Sequence, residues 1–555
     1  MKSKRDLIRR CIAIRLFPGP GGAPAAFRSL ALGLAVCVIV LCLLDPSMSL
    51  AGSRSEQIQR HIDRGFTYLQ KGKPDKALVE FTSAVDLGPY AARFHCFRGI
   101  GYMVSGRLDE AMADFNKAVD LDPEYVDAFN LRGLVHSIRQ ESEAAIGDYT
   151  KAIELAPSKA EAYNGRGNVY KDQDAYDLAI ADFSKAIELD STLAQAYDNR
   201  AKAYVEARAY DKAVADFHRF LELDPGNIDA YVDCAEAYEC EGDHDRAIAE
   251  VDRAIELRPD YPPLLLTRGD CQLHKGDADR AIADYTRVIE MRPDVAMAYC
   301  ERGAALCNKH DYDLAIVDLN KAIEIDSTFS RAYDYRAFAY TKKRDYDRAI
   351  ADFSKEIELG QADADVYCAR AGAYDNIGQY EEALADYDRV LAMGQGDSST
   401  YYNNRGYCRA THGDYRGGLD DTNRAIAIDS LNSLAYDSRG YAYAGLGDYE
   451  RALAEYTKAI EIDSSKADFY GNRGVVYAKA GKFELALADY DKALRMERDD
   501  PDDAETHFNR GIACQALGRK QEAAGAFRRF LELAGPRMQT RITEAQQHLQ
   551  ELETK

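Results

Sequence analysis

Small and apolar residues recur along this 555-residue chain in a pattern that repeats every 34 residues. Numbered within one repeat, they stand at positions 4, 8 and 11 and again at positions 20, 24 and 27. Steps of three and four residues place such side chains on one face of an α-helix. A turn sequence such as Gly447-Asp448-Tyr449 separates the two sets. Each repeat therefore predicts two helices joined by a short turn.

Fourteen copies of this pattern follow one another, and we expect them to form one array over residues 58–537. Position 8 is Gly or Ala and position 20 is Ala in thirteen repeats, which lets the two helices cross closely. Extra residues near Gly394–Ser398 and Asp499–Asp503 fall between repeats. Residues 538–555 predict a final amphipathic helix that caps the array. The repeats begin at Ile58, Ala92, Val126, Ala160, Ala194, Ile228, Pro262, Ala296, Ser330, Ala364, Ser399, Ser433, Ala467 and Ala504.

The period and its residues resemble the tetratricopeptide repeat family. Tyr163, Gly167, Tyr170, Ala179 and Phe183 show the family pattern in one repeat, although Tyr replaces the usual Trp and position 7 is Arg rather than Leu. The resemblance implies an all-α fold, a right-handed α-solenoid of stacked helix-turn-helix repeats. It also implies that the first helices line a concave groove that binds proteins or peptides.

A pairing of opposite charges runs through the repeats. Position 7 is Arg in thirteen repeats and position 23 is acidic in thirteen. Charges this regular predict a ladder of ion pairs that fixes how the helices stack, rather than a site for chemistry. Cys234 takes the place of the Arg in repeat 6, so we expect one acidic residue there without its usual partner.

Residues 1–51 have the composition of a targeting segment. Seven Lys or Arg accompany only two acids, and residues 29–44 form an uncharged, mostly aliphatic run. Ser49 and Ala51 then offer a small-x-small cleavage pattern before Gly52, with residues 52–57 as a short linker. A cleaved signal peptide and a retained signal-anchor both fit. Either one predicts that the array is exported, whether periplasmic, secreted or lumenal, or is anchored by residues 29–44 on the non-cytoplasmic side.

The overall composition excludes some classes of binding partner. The net charge is −22, so a surface that binds nucleic acid is not expected, and contact with membrane is expected only through residues 29–44. Twelve cysteines at irregular positions do not form the spacing of a disulfide framework. The chain lacks the motifs GxGxxG before a helix, HExxH, GxSxG and CxxC and the phosphate-binding P-loop. We therefore expect no catalytic residue, cofactor or metal site.

The family resemblance places positions 2, 5, 9, 12 and 13 in the groove. The polarity of the residues at these positions changes along the chain. Repeats 1–3 present mainly apolar residues, and repeats 4–6 present mainly acids and amides. One interpretation is a ligand with an apolar end and a basic stretch. The alternative is that the apolar residues pack against the chain's own N-terminal segment and that the acids form a solvated face. The candidate binding residues are Ile62, Phe66, Ile100, Met103, Leu134, Asn164, Asn168, Asp198, Lys202, Asp229, Glu236, Asp270, Asp334 and Asp437.

These features predict a non-enzymatic scaffold or adaptor whose acidic groove binds extended or helical segments of other proteins. The alternative is a non-catalytic subunit that brings substrates to a separate enzyme. Asn199, Asn404, Asn472 and Asn509 at position 6 are similar to the asparagine ladder in the repeat half of protein O-GlcNAc transferases. No catalytic half follows them.

Overall fold

The computed structural model describes residues 53–360, 362–394, 396–496, 504–535 and 538–554. In this part of the chain the regular structure is helical, with 29 helices and no strand. The predicted targeting segment lies outside the described residues. No helix among those described has both the length and the apolar character needed to cross a membrane.

The described residues divide into two compact units, one ending at Pro293 and the other beginning at Asp294, and each is a stack of helix pairs. The first unit contains α1 Ser53–Gln70, α2 Pro74–Leu87, α3 Ala92–Val104, α4 Leu108–Leu121, α5 Val126–Ile138, α6 Ser142–Leu155, α7 Ala160–Asp172, α8 Tyr176–Leu189, α9 Ala194–Glu206, α10 Tyr210–Leu223, α11 Ile228–Glu241, α12 His244–Leu257, α13 Pro262–Lys275 and α14 Ala278–Met291. Odd-numbered helices are the first helices of the repeats and even-numbered helices are the second.

The second unit continues the same alternation and ends with a single helix. It contains α15 Ala296–Asn308, α16 Tyr312–Ile325, α17 Ser330–Lys342, α18 Tyr346–Glu358, α19 Ala364–Asn376, α20 Tyr380–Met393, α21 Ser398–Thr411, α22 Tyr415–Ile428, α23 Ser433–Gly445, α24 Tyr449–Ile462, α25 Ala467–Lys479, α26 Phe483–Met496, α27 Ala504–Ala516, α28 Lys520–Leu533 and α29 Gln539–Thr554. On α29, Ala545 is fully buried against the cluster that includes Phe527 and Phe530, which covers the end of the stack.

The core of each repeat lies where its two helices cross. A Cβ atom on Gly167 would lie 2.7 Å from the ring of Phe183, so the glycine lets this ring pack closely against the first helix. Ala179 and Ala186 are fully buried on the facing helix. The predicted close crossing at positions 8 and 20 is thus confirmed, with the aromatic residue of position 24 filling the space.

The turn between the paired helices has one left-handed residue in every repeat, at position 15. Glycine occupies it in most repeats, as at Gly447 with φ +79°. This residue ends the first helix and reverses the chain. Five repeats place a residue with a side chain in the same conformation, namely Gln140, Asp174, Arg208, His310 and Arg344, with φ between 59° and 64°.

The first helix begins earlier than the repeat pattern indicates. It starts at Ser53, whereas the pattern begins at Ile58, so most of the predicted linker at 52–57 is helical. The guanidinium of Arg54 donates hydrogen bonds of 3.1 and 2.7 Å to the carbonyl oxygen of Leu87 at the end of the second helix. This contact attaches the extra turn to the first repeat.

The predicted ladder of ion pairs is confirmed in repeats 2–5 and 7–13. At the two ends, Glu80 has His61 as its partner and Arg510 pairs with Asp491 of the preceding repeat. In a typical rung, Arg268 donates from Nε and Nη2 to the two carboxylate oxygens of Asp284, at 2.8 and 2.6 Å, and its Nη1 donates to Asp252 of the preceding repeat. Each rung thus joins the two helices of a repeat and can also tie them to the repeat before. The other pairs are Arg98–Asp114, Arg132–Asp148, Arg166–Asp182, Arg200–Asp216, Arg302–Asp318, Arg336–Asp352, Arg370–Asp386, Arg405–Asp421, Arg439–Glu455 and Arg473–Asp489.

Candidate binding face on the first helices

The first helices form the more crowded side of the stack within each unit. Cα atoms of successive first helices, such as α3 and α5 or α5 and α7, come within 8 Å of each other. Successive second helices lie farther apart. Side chains at groove positions therefore lie beside those of the neighbouring repeat, and a ligand on this face would contact several repeats together.

The apolar candidates of repeats 1–3 are placed in the interior. Ile62, Phe66, Ile100 and Met103 are each at least 93% buried in one continuous core cluster. Phe66 packs edge-on against Phe81 and Phe97, with ring centroids 5.2 and 5.1 Å apart. The helical period cannot distinguish a side chain on the open face from one packed between neighbouring first helices. Here the aromatic residue Phe97 at position 6 covers this part of the face.

Leu134 of repeat 3 is half-buried against the same core cluster and keeps a share of its surface on the face. Asn164 and Asn168 on α7 are also half-buried. The side-chain amide of Asn199 donates a 3.0 Å hydrogen bond to Asn164 Oδ1. In the second unit, Asn472 donates in the same way to Asp437 of the preceding repeat, at 3.0 Å. These two position-6 asparagines therefore join successive first helices instead of presenting a free ladder.

Charged side chains in repeats 5 and 6 form a cluster with more carboxylates than cations. Lys202 Nζ lies 2.9 Å from Asp198 Oδ2 and 3.1 Å from Asp233 Oδ2. Burial raises the pKa of Asp233 above its ordinary value, and the nearby carboxylates of Asp198 and Asp229 raise it further, against the opposing effect of Lys202. One ammonium group thus bridges two carboxylates, and the carboxylate of Asp229 repels that of Asp233.

The remaining acidic candidates are spread over both units. Asp229 is exposed at the start of α11, and Glu236 is half-buried two turns farther along the same helix. Asp270 is half-buried and accepts a 2.7 Å hydrogen bond from the hydroxyl of Tyr285. Asp334 is half-buried on α17 of the second unit. The cluster around Lys202 is therefore the densest group of candidate residues.

A second group in the second unit combines a carboxylate with aromatic rings. Burial raises the pKa of Asp437 to about 7, and Asp468 adds to the shift while the hydrogen bond from Asn472 opposes it. Tyr407 and Tyr441, at position 9 of successive repeats, lie with ring centroids 5.8 Å apart, and Tyr407 is 42% exposed. These tyrosines are not among the candidates predicted from the sequence, although aromatic residues at a groove position are a signal that could have found them.

Histidine and cysteine side chains on this face are mostly engaged or buried. Glu239 accepts from His244 and His274, at 2.8 and 2.7 Å. Burial by itself would raise the pKa of Glu239, but these two hydrogen bonds outweigh it and lower the pKa. The nine cysteines within the described part of the chain are free thiols.

Family profiles match the chain in successive segments, each described as a TPR or tetratricopeptide repeat. The matched segments are 99–137, 138–174, 160–193, 199–262, 240–299, 336–398, 368–433, 440–481 and 465–534. Curated proteins give no match.

Solved structures that resemble the chain include the anaphase-promoting complex hetero-tetramer Cut9-Hcn1, at 14% identity over 84% of this chain and 96% of that one, with a TM-score of 0.40. A tetratricopeptide repeat protein from Parabacteroides merdae is 20% identical over 45% of this chain and 99% of that one, with a TM-score of 0.33. MamA is 27% identical over 29% of this chain and 94% of that one, with a TM-score of 0.28. Together, the 34-residue period, the stacked helix pairs and the profile matches show that the chain belongs to the tetratricopeptide repeat family, whose arrays are protein-interaction scaffolds.

Proposed function

We propose that this chain is a non-enzymatic adaptor that binds a basic, extended or helical segment of another protein on the first helices of repeats 5 and 6. The observation that carries the proposal is the cluster in which Asp198 and Asp233 share the single ammonium group of Lys202, with the carboxylate of Asp229 acting on Asp233. Lys or Arg side chains of a partner would supply the positive charge that this cluster lacks. Groove binding by many such weak contacts is the usual mode of a repeat array.

The electrostatics of the cluster favour a cationic ligand. Burial raises the pKa of Asp233 most, and the carboxylates of Asp198 and Asp229 add to the shift, so the ionised state of this group is raised in free energy. A cation brought among them relieves this repulsion, and the partly buried setting screens the attraction less than bulk water does. We therefore expect association to weaken as salt concentration rises, and to depend on residues of this face more than on the overall charge.

The second unit offers a separate contact of different chemistry. Tyr407 and Tyr441 present aromatic surface beside Asp437 and its neighbour Asp468. An Arg or Lys side chain can stack on a tyrosine ring while its charge faces a carboxylate. This group extends the proposal to a partner with basic residues at more than one place.

The proposal is tested with a fluorescein-labelled Lys/Arg-rich peptide and the full chain, by fluorescence anisotropy at low and high salt. The charge-reversal variant Asp229→Lys/Glu236→Lys changes an exposed and a half-buried residue of the proposed face. Its matched control, Asp177→Lys/Asp211→Lys, makes the same change in net charge at exposed positions of the second helices α8 and α10. We expect the first variant to weaken binding at least about tenfold and the control to bind within about twofold of wild type, since tenfold corresponds to about 1.4 kcal/mol.

Equal weakening by both variants would show that the peptide responds only to total charge, and the proposed face would then be wrong. No measurable binding of the basic peptide by wild type, with binding of an apolar or acidic peptide instead, would reject the basic partner.

We also propose that the array works outside the cytoplasm, exported or anchored through residues 29–44. The basic stretch, the aliphatic run and the small residues before Gly52 support this proposal.

A further inference from the structure

Repeat 6 lacks the ion pair of the ladder, and the residues near this place differ from those of the other repeats. Cys234 stands where the other repeats have Arg, and its side chain is fully buried. Glu250 holds the usual acidic position and is 96% buried. Without the guanidinium, Glu250 takes His218 as a partner, with His218 Nε2 at 3.2 Å from Glu250 Oε1.

His218 occupies a position with a defined role in neighbouring repeats. The equivalent residue Ser184 accepts a 3.0 Å hydrogen bond from Arg200, and Asp252 accepts one of 2.6 Å from Arg268. Both are the residues at position 25 that bind the Arg of the following repeat. His218 of repeat 5 replaces this small or acidic acceptor, and Cys234 of repeat 6 replaces the Arg that the acceptor would bind. Two substitutions thus bring an imidazole and a thiol to the same buried carboxylate.

We propose that His218, Cys234 and Glu250 form a site for a divalent transition-metal ion of the Zn²⁺ type. One nitrogen, one sulfur and one oxygen atom of these residues lie within 4.8 Å of one another. Imidazole, thiolate and carboxylate are the ligand types that zinc takes in proteins. When the ion binds, the thiol of Cys234 gives up its proton to solvent and the sulfur forms the metal bond.

The three ligands come from three consecutive helices, α10, α11 and α12, so an ion would join repeat 5 to repeat 6. The His218 side chain is 41% exposed, which provides a path from solvent and room for a water molecule as the fourth ligand. Arg253 Nη1 now contacts both oxygens of Glu250 at 3.0 Å, but its side chain is 58% exposed and can turn away into solvent. A bound ion would thus replace Arg253 as the cationic partner of Glu250.

A second group of similar residues in the second unit serves as a comparison. Asp375, Cys408 and His412 also lie within 4.8 Å of one another. There, however, His412 Nδ1 lies 2.9 Å from the carbonyl oxygen of Cys408, a contact in which it acts as the donor. This contact leaves Nε2 as the metal-binding nitrogen of that ring. The difference between the two groups is that Cys408 lies in a repeat whose ladder pair, Arg405–Asp421, is intact. Cys408 is also fully buried, which makes it a matched control for Cys234.

The test uses the full chain, stripped with a chelator and titrated with Co²⁺, which reports a thiolate ligand by an absorption band that Zn²⁺ then removes. We expect one equivalent of Co²⁺ to produce this band, and Zn²⁺ to raise the thermal midpoint. Cys234→Ser and His218→Gln should abolish both effects, whereas Cys408→Ser should retain them. Cys234→Arg restores the repeat pattern, so it should remain folded and lose the metal response, which separates loss of the site from loss of the fold.

A wild-type chain without the thiolate band would overturn the proposal, and His218 would then be only the replacement partner of Glu250. A band that survives Cys234→Ser would overturn it as well, and its loss in Cys408→Ser would assign the metal to the other group.

Discussion

At the scale of single residues, the Arg at position 7 makes several contacts at once. Arg166 makes two hydrogen bonds with Asp182 and a third with Thr150 of the preceding repeat. The rings of Tyr163 and Tyr170 lie 5.8 and 5.9 Å from the guanidinium carbon. Lysine could not reproduce this planar, forked arrangement. The ladder thus sets the stacking register through geometry as well as charge.

Removing both members of a rung is predicted to cost less than the sum of removing each one alone. Arg268→Leu leaves the carboxylate of Asp284 buried without its partner, and we expect a loss of roughly 2–4 kcal/mol in the free energy of unfolding. The double variant Arg268→Leu/Asp284→Leu should lose less than the sum of the single variants. Chemical denaturation of the four members of this double-mutant cycle measures the coupling. Strictly additive losses would show that the pair does not interact.

The carboxyl of Asp437 makes stability depend on pH. Its pKa rises from 3.8 to about 7 on folding, so the folded state holds a proton that the unfolded state has released. Stability from this group is therefore present at low pH and is lost as pH rises from about 4 to about 7. We expect Asp437→Asn to raise the thermal midpoint relative to wild type at pH 8 and to give a smaller gain, or none, at pH 5.

The control is Asp420→Asn, which changes an exposed acid in the same unit. If the difference between Asp437→Asn and wild type is the same at both pH values, the carboxyl titrates in its ordinary range and the expected pH dependence is wrong.

At the scale of elements, we predict that glycine at position 15, the left-handed residue of the turn, raises the free energy of unfolding. Gln140 is exposed and has φ 61°, a conformation that costs a residue with a side chain about 1 kcal/mol more than glycine. Gln140→Gly should therefore stabilise the chain by up to about 1 kcal/mol, partly offset by the greater freedom of glycine in the unfolded state. Gln140→Ala keeps the strain and should be close to neutral. Urea unfolding compares the three chains, and a loss of stability in Gln140→Gly would contradict the prediction.

The helices were predictable because each follows from local pattern. The pattern placed the starts of first helices at Ala92, Val126 and Ala160, where the structure also begins them. The left-handed conformation at Arg208 was not predictable, because its residue type gives no sign of it. Nor was the burial of Phe66, which depends on Phe97 from the next repeat. Contacts between repeats are decided by particular pairs of side chains, and the average pattern does not contain them.

The prediction of binding residues was limited in the same way, because the repeat pattern does not contain the contacts between particular side chains. The excess of acids in repeats 5 and 6 was visible in the sequence, but the bridging of Asp198 and Asp233 by Lys202 required the helices in place. Cys234 stood out as an exception to the pattern, and its acid was expected to lack a partner. The structure supplies two partners for Glu250: His218, 32 residues earlier on a helix of the preceding repeat, and Arg253 on the same helix.

At the scale of the whole molecule, the open question is how residues 1–51 are processed, and the lengths involved lead to a prediction. Residues 29–44 would span about 24 Å as a helix, against roughly 30 Å for the hydrocarbon core of a membrane. A run this short is better suited to the apolar region of a cleaved signal peptide. We therefore expect the mature protein to begin at Gly52, one residue before α1 starts at Ser53. Intact-mass and N-terminal sequencing of protein from fractionated cells measure this directly.

Ala51→Arg removes the small residue before the expected cleavage point, so this variant should keep its leader and remain in the membrane fraction, while wild type is recovered without it. Wild type that retains the leader in the membrane fraction would instead identify residues 29–44 as an anchor. Full-length wild type in the cytosol would contradict export altogether. It would also change the setting of the proposed acidic face, because the basic partner would then have to be a cytosolic protein.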